Sequence, residues 1–306
     1  MKFSFHIPVG DVTAGQFQSV GAIDEMARAL EAAGVDACWV SDHPVPDAKW
    51  LRSASTAHDT LDPFTALALV AARSTTLLLH ANVVVLPYRN PFITAKAAAT
   101  LHVVSGGRFI LGVGVGYQEA EFAALGVDFH RRGQLTDEAL DTLRAAWAGG
   151  PVNITSSNFV AADVEPRPAP DPPPPVWVGG ASDKALQRAA AWDGWSPFFA
   201  SVSSSNKDFA VRDVTHLRAQ IERLTEMRAA GNHAGPFDVC ISARVRPSPD
   251  NEDADRLMAD IAELEACGVT WMFLDPVHPS RAAWLESVHR FGEEVVGPVA
   301  HSPSLP

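Results

Sequence analysis

The first residues that could do chemistry are an aspartate and a histidine in the stretch WVSDHPVP, residues 39–46. Asp42 and His43 directly follow a short apolar run, which is typical of a buried strand. An imidazole titrates near neutral pH, so His43 could give or take a proton during turnover. Asp42 could bond a ligand or the backbone. The alternative is a capping aspartate beside a solvent-facing histidine.

Alternating glycines form the second candidate site, in the stretch FILGVGVGYQEAEF, residues 109–122. The spacing of Gly112, Gly114 and Gly116 fails the dinucleotide fingerprint G-x-G-x-x-G, because Tyr117 stands where the third glycine belongs. The run also follows the fourth predicted strand, whereas the fingerprint follows the first. Either the glycines let a strand end bend and pack closely, or they leave bare backbone against which a flat ring or a ribityl chain could lie.

A second glycine-containing turn occurs in the stretch VWVGGAS, residues 176–182. Gly179 and Gly180 end a predicted strand, Ala181 follows them, and Ser182 can cap the next helix. Backbone N–H groups at a helix start, together with the helix dipole, bind anions. The turn is therefore either a phosphate site or a plain strand-to-helix connection with a good cap.

Asn82 and Val83 lie in the stretch HANVVVLPYRNP, residues 80–91. Asn82 interrupts an otherwise apolar strand, and a buried amide has to be hydrogen bonded. This indicates a bulge or a strained peptide beside a ligand. Arg89, in the turn that follows, is interpreted as structural rather than catalytic.

Composition limits the function classes. The chain has 306 residues, a formal net charge of −12 and 47% hydrophobic residues, so it can bury a large core, while nucleic acid and membranes are unlikely partners. Three scattered cysteines argue against a disulfide framework and against a zinc site. The N-terminal stretch is too short in apolar length for a signal peptide, and no run approaches the ~18 apolar residues of a membrane span. We expect a soluble, cytoplasmic protein that contains no metal.

Apolar, β-branched runs alternate with helical patterns along the chain. The predicted strands lie at residues 3–9, 36–41, 76–86, 108–113, 176–179, 194–199, 238–245 and 270–274. Helices are predicted at about residues 23–30, 62–72, 91–103, 135–147, 182–192, 211–230, 253–267 and 281–296, with a short hairpin near residues 152–160. The proline-rich segment 165–175 is interpreted as a stiff connection inside one domain, because the pattern resumes unchanged after it.

Eight strands, each followed by a helix, predict a (β/α)₈ TIM barrel with short insertions, a single domain over residues 1–306. A doubly wound open sheet is the alternative. In a barrel, function lies at the carboxyl ends of the strands. The candidates above lie at such ends, and so do further polar residues, namely Arg244, Arg246, Asp275 and His278.

The ordered set of motifs resembles the luciferase-like monooxygenase superfamily, and within it the branch that uses the deazaflavin coenzyme F420. The resemblance is carried by WVSDHPVP, by the segment from ANVVVLPYRNP to LGVDFHRRG, and by PPVWVGGASDKALQRAAAWDGW. It is strong over about residues 1–200 and weaker beyond. Each motif alone is unspecific, whereas their order is specific.

The resemblance implies a barrel that binds a flavin or deazaflavin at its carboxyl-terminal rim. It implies a cis peptide at Asn82–Val83 that supports the ring, His43 as acid or base, and a contact from Asp42 to the ring or ribityl chain. It further implies that Gly112, Gly114 and Gly116 line the ring, and that Gly179, Gly180, Ala181 and Ser182 hold the cofactor phosphate.

One departure concerns the residue after the glycine run. The family's sugar-phosphate dehydrogenases have a glutamate acid there, whereas this chain has Tyr117, followed later by Glu119 and Glu121. Tyr117 either donates a proton or only lines the pocket. The resemblance implies an F420-dependent oxidoreductase that exchanges hydride between the deazaflavin C5 and a small organic substrate, as a reductase and a homodimer. The alternatives are an FMN-dependent monooxygenase that uses dioxygen, and a non-catalytic flavin-binding barrel.

Overall fold

Parallel strands close on themselves into an eight-stranded barrel in a computed structural model that describes residues 1–8, 16–53, 60–200, 210–249 and 254–297. The barrel strands are β1 (Lys2–His6), β2 (Ala37–Val40), β3 (Leu78–Val85), β4 (Phe109–Gly114), β7 (Val176–Gly179), β8 (Gly194–Ser196), β9 (Asp238–Ser242) and β10 (Trp271–Leu274). The pairing of β1 with both β2 and β10 closes the sheet. The predicted TIM barrel is therefore confirmed, and the open sheet is wrong.

Strand alternation divides the core into two layers. Side chains such as Phe5, Leu79 and Leu111 face outward and pack with the helices in the main core. Ala37, Ile110 and Trp177 belong to a second, smaller cluster inside the barrel. Both the outer and the inner face of the barrel sheet are buried, which explains why the strand sequences are nearly continuous apolar runs.

Helices follow the barrel strands and cover their outer faces. They are α1 (Val20–Ala32), α2 (Ala48–Ser53), α3 (Pro63–Ala71), α4 (Pro91–Val104), α5 (Glu119–Ala124), α6 (Arg132–Trp147), α7 (Asp183–Ala190), α8 (Val214–Ala230), α9 (Ala254–Glu265) and α10 (Arg281–Phe291). Side-chain caps begin several of them, for example Ser19 on α1, Asp62 on α3 and Asn90 on α4. Within the described residues, none of the helices combines the length and the apolar character that crossing a membrane requires.

Several element boundaries differ from the prediction. The short helices α2 and α5 were not predicted, because six residues are too few to show a helical period. Helix α8 begins after Asp213, whose side chain caps it, rather than at Val211. The predicted hairpin exists as β5 (Val152–Thr155) and β6 (Val160–Val164). Val9 and Asp253, at the ends of two predicted elements, lie outside the described residues.

A fully buried histidine lies inside the barrel. His80 of β3 is 0% exposed, and its ring lies 4.9 Å from that of Trp177. Neither His80 Nδ1 nor Nε2 has a hydrogen-bond partner among the described residues. Burial lowers the pKa of His80 to about 3, because the charged imidazolium is poorly solvated there. The folded protein therefore keeps His80 neutral at pH values where the unfolded chain protonates it.

This difference predicts a pH-dependent stability. The His80 imidazole has a pKa of 6.5 in the unfolded chain and about 3 in the folded chain. Between these pH values the unfolded chain binds a proton at His80 and the folded chain does not. The free energy of unfolding then falls by about 1.4 kcal/mol per pH unit through this site alone. Relative to His80→Gln, the wild type should lose about 1.6 kcal/mol between pH 6.5 and pH 5 in urea unfolding, since the slope reaches its full value only below the unfolded-state pKa. A wild-type-to-variant difference that stays constant over this range would contradict the account.

Candidate functional site

The predicted site residues meet at one end of the barrel. Asp42 and His43 follow β2, and Asn82 and Val83 lie in β3. Gly112 and Gly114 lie in β4 with Gly116 just beyond it, and Gly179 ends β7 with residues 180–182 after it. Because the barrel strands are parallel, their carboxyl ends form a single rim. The structure therefore brings the predicted residues to one end of the barrel, as expected.

Strand β3 bulges into the barrel at Asn82 and Val83. The peptide bond between them is cis, as expected, and the register of β3 against β4 shifts between Ala81 and Val84. Ser196 of β8 donates a hydrogen bond from its hydroxyl to Asn82 Oδ1 over 3.2 Å. The partly buried amide is thus held from the far side of the barrel.

The glycines of β4 make room for this bulge. A Cβ built on Gly112 would lie 2.3 Å from the carbonyl oxygen of Ala81, and one built on Gly114 would lie 2.8 Å from Val83 Cγ2. Gly116 has φ +77°, and a Cβ there would meet Val85 and Phe122 below 3 Å. The Cβ positions of the three glycines are thus taken by backbone and side-chain atoms of this chain, which supports the alternative that they allow close packing. Their contact with a cofactor stays a prediction.

Asp42 is buried and fully engaged. Its Oδ2 accepts a hydrogen bond from the backbone N–H of Val85. Arg89 donates from Nη1 to Oδ2 over 2.5 Å and from Nη2 to Oδ1 over 2.8 Å. The carboxylate therefore fixes the end of the β3 bulge, and the structural interpretation of Arg89 is confirmed. The predicted contact between Asp42 and a cofactor stays a prediction.

His43 is paired with a glutamate that the sequence analysis did not select. His43 Nδ1 lies 3.1 Å from Glu121 Oε2, and the Glu121 side chain is 0% exposed. Glu121 is on the short helix α5, three residues after Gln118, whose Nε2 lies 3.2 Å from the same imidazole nitrogen. An ionised carboxylate can only accept hydrogen bonds, so a bond from His43 to Glu121 places the proton on Nδ1. The amide nitrogen of Gln118 is also a donor, so in that arrangement it is a close neighbour of Nδ1 and not its hydrogen-bond partner.

Further donors satisfy the buried Glu121 carboxylate. The Tyr88 hydroxyl donates to Oε2 over 2.9 Å, and the backbone N–H of Val45 donates to Oε1 over 3.3 Å. Burial of the phenol raises the pKa of Tyr88 far above its ordinary value, and the negative charge of Glu121 raises it further. Tyr88 therefore stays protonated as a donor, and a buried carboxylate with several donors holds its position.

Aromatic rings surround His43. The ring of Trp50, on α2, has its centroid 4.9 Å from that of His43, and Tyr117 lies edge-on at 6.0 Å. Tyr117 is 52% exposed, so it lies at the surface of the site rather than inside it.

The turn after β7 is built from backbone rather than side chains. Gly180 has φ +90°, a conformation that side chains rarely adopt, and its carbonyl accepts the indole N–H of Trp195 over 2.7 Å. Ser182 caps α7 by accepting from the N–H of Ala185. Small residues and a helix start suit a group with a phosphate bound by amides, so the residues present fit a flavin-type cofactor. The phosphate role of residues 179–182 stays a prediction.

Comparisons with known proteins agree with this architecture. The family described as luciferase-like monooxygenase matches residues 1–286. The chain is 32% identical over 263 residues to the phthiodiolone/phenolphthiodiolone dimycocerosates ketoreductase of Mycobacterium sp. (strain JLS), covering 79% of this chain and 64% of that one. It is 30% identical over 188 residues to the F420-dependent glucose-6-phosphate dehydrogenase of Amycolatopsis mediterranei, covering 60% and 54%.

A solved structure shows the same fold at low identity. The F420-dependent secondary alcohol dehydrogenase in complex with an F420–acetone adduct superposes with a TM-score of 0.77 at 17% identity, covering 98% of this chain and 99% of that chain. At this identity the likeness concerns the fold alone. The family match over nearly the whole chain, together with the barrel and its rim, shows that this protein belongs to the luciferase-like monooxygenase family.

Proposed function

We propose that this protein is an F420-dependent oxidoreductase that exchanges hydride between the deazaflavin C5 and a small organic substrate, acting as a reductase. The observation that carries the proposal is the His43–Glu121 pair at the rim of the barrel. Relatives named as a ketoreductase and as an F420-dependent dehydrogenase, each about a third identical, support it. A bound deazaflavin would supply the hydride chemistry, and the residues of the chain provide binding, orientation and the proton.

His43 is the proton-exchanging residue in this proposal. Each hydride that reaches a carbonyl or an activated alkene has to be matched by one proton. The imidazole exchanges that proton, and the buried carboxylate of Glu121 beside Nδ1 stabilises the imidazolium form. Trp50 packs against the same ring and limits the directions in which it can turn.

Binding of the cofactor is expected from the backbone around the β3 bulge and from the turn after β7. Gly179 lies close to Val83, since a Cβ built there would be 3.4 Å from Val83 Cγ1. The bulge and the turn are therefore neighbours at the rim. One group could touch both, with its ring beside the bulge and its phosphate at the start of α7.

The rival is an FMN-dependent monooxygenase, favoured by the monooxygenases after which the family is named. Titration of the purified protein with each cofactor separates the two. We expect micromolar or tighter binding of F420, measured by quenching of deazaflavin fluorescence, and much weaker binding of FMN. Micromolar binding of FMN with none of F420 would overturn the proposed cofactor.

Replacement of His43 tests its proton-exchanging role. His43→Ala should lower turnover by about two to four orders of magnitude, because a positioned acid or base contributes about that much. Turnover is followed by loss of reduced F420 with the best substrate from a screen of carbonyl compounds. Unchanged turnover would reject the role of His43 and favour the non-catalytic barrel.

Replacement of Glu121 tests its role as a positioning residue. Glu121→Gln keeps an oxygen for His43 Nδ1 but removes the charge, so kcat should fall about ten- to a hundredfold. The pH profile of kcat should also shift, whereas the Kd for F420 should stay the same. The matched control is Glu119→Gln, which changes an exposed residue on the same helix and should behave as wild type. Equal effects of the two variants would contradict the role of Glu121.

A further inference from the structure

Exposed apolar side chains gather on one side of the barrel mouth. Val45 and Leu51 lie in the connection after β2, and Tyr117 lies in the connection after β4. Each of them is between 38% and 52% exposed. Single exposed apolar residues are ordinary, whereas a group of them beside a ligand-binding rim indicates a surface that a ligand covers.

Hydrogen bonds join these two connections into one part of the rim. Oε1 of Gln118 accepts the backbone N–H of Asp47 over 2.8 Å, and Oε1 of Glu121 accepts that of Val45 over 3.3 Å. The backbone N–H of Leu51 donates to the carbonyl of Asp47 over 2.9 Å. Side chains of the β4 connection thus hold the backbone that carries Val45 and Leu51, so the exposed apolar residues do not lie on independent loops.

Ring contacts connect the exposed apolar residues with His43. The ring centroids of Trp50 and Tyr117 lie 4.9 Å and 6.0 Å from that of the imidazole. Trp50 precedes Leu51 on α2. We call Val45, Trp50, Leu51 and Tyr117 the apolar wall. The wall starts at the proton-exchanging residue of the proposed function and extends into solvent, so a ligand that covers the wall also reaches His43.

Ion-paired side chains lie on the opposite side of the mouth, where β9 and β10 end. Arg246, after β9, donates from Nη2 to Oδ2 of Asp275, after β10, over 2.9 Å. The other oxygen of Asp275 lies 2.9 Å from Nδ1 of His6. The exposed Phe198 and Val277 come from two further strand ends. A substrate in the mouth therefore meets the connected apolar surface on the side of His43.

Charge at the mouth favours an uncharged substrate. The formal net charge of the chain is −12, so its field repels anions. Exposed charged residues adjoin the apolar wall in the sequence, namely Lys49, Arg52 and Glu119. An apolar surface with a polar border is typical of a ligand-binding surface. The occupant that fits this surface is an uncharged molecule with an apolar part.

We propose that the apolar wall binds the hydrocarbon chain of an uncharged ketone substrate, whose carbonyl lies beside His43. The inference rests on the proposed function and names its substrate class. Full burial of one CH2 group raises affinity about fourfold, and a wall that covers the chain from one side should give about twofold for each CH2 group. Binding of this non-reacting chain also orients the carbonyl for the reaction.

A series of methyl ketones measures the contribution of the wall. Pentan-2-one, heptan-2-one and nonan-2-one differ in chain length alone, whereas 8-oxononanoate matches nonan-2-one in length but ends in a carboxylate. Each is titrated by calorimetry into protein loaded with oxidised F420, which cannot reduce it. We expect the affinity to rise about fourfold at each step of the ketone series. The carboxylate should bind at least about tenfold more weakly than nonan-2-one, because the wall offers it no partner.

Substitutions in the wall assign the effect to its residues. Tyr117→Ser and Leu51→Ser each remove an exposed apolar side chain and should weaken binding of nonan-2-one about three- to tenfold, with a smaller loss for pentan-2-one. Tyr117→Phe keeps the ring without its hydroxyl and should keep the dependence on chain length. The matched control is Val104→Ser, which removes an exposed apolar side chain at the end of α4 and should bind as the wild type does. Because all these side chains are exposed, the thermal midpoints should stay near the wild-type value.

Equal affinities along the ketone series, or an unchanged dependence on chain length in Tyr117→Ser and Leu51→Ser, would overturn the proposal. Loss of that dependence in Tyr117→Phe would do the same, because the hydroxyl rather than the apolar ring would then carry the binding. A shift toward smaller oligomers in Leu51→Ser, with unchanged ketone binding, would assign the wall to a second copy of the chain instead. If the protein binds FMN rather than F420, the proposed function fails, and the same titrations on FMN-loaded protein still test the wall, because binding needs no hydride transfer.

Discussion

The packing of Val83 inside the barrel is the constraint on which the rim depends. The bulge of β3 carries this side chain toward β4 and β7, where a side chain on Gly112 or Gly114 would crowd it and one on Gly179 would touch it. Asp42 anchors the end of the bulge through the N–H of Val85, and Ser196 of β8 donates a hydrogen bond to Asn82 across the barrel. Residues in or directly after five strands are thus in contact around Val83. A substitution at any of them would shift its neighbours.

Around this bulge, carboxylates hold imidazoles in fixed orientations. Glu121 is completely buried and receives Tyr88 and Val45 besides His43, and Asp275 receives Arg246 besides His6. Burying a charged group is costly unless it is well bonded. A barrel needs no buried carboxylate at its rim for stability, so the position of Glu121 at the end where this fold binds ligands favours a role in chemistry.

Much of the fold could be predicted because its signals are local. The apolar runs predicted every barrel strand, and Ser182 caps the helix after the fifth predicted strand, as expected. The rim residues could also be predicted, since the carboxyl ends of parallel strands meet wherever the barrel closes. The cis bond at Asn82–Val83 came from the family resemblance rather than from the residues alone.

The pairings at the rim could not be predicted. His43 and Glu121 are 78 positions apart, and His6 and Asp275 are 269 apart, so only closure of the barrel brings them together. Glu121 lies on a helix too short to show a period, and Glu119, two residues before it, has the same chemistry but is exposed. The crowding at Gly112 and Gly114 could not be predicted for a related reason, because Val83 reaches their space only through the bulge of β3.

A crystal structure of the protein with bound F420 is the most direct test of the central claim, that the rim around Val83 and His43 holds a deazaflavin for hydride exchange. The account predicts the ring beside the Asn82–Val83 bulge, the phosphate at the turn of residues 179–182, and C5 facing the space next to His43, with the bond from His43 to Glu121 intact. A ring bound elsewhere, or a His43 turned away from C5 and separated from Glu121, would contradict the account.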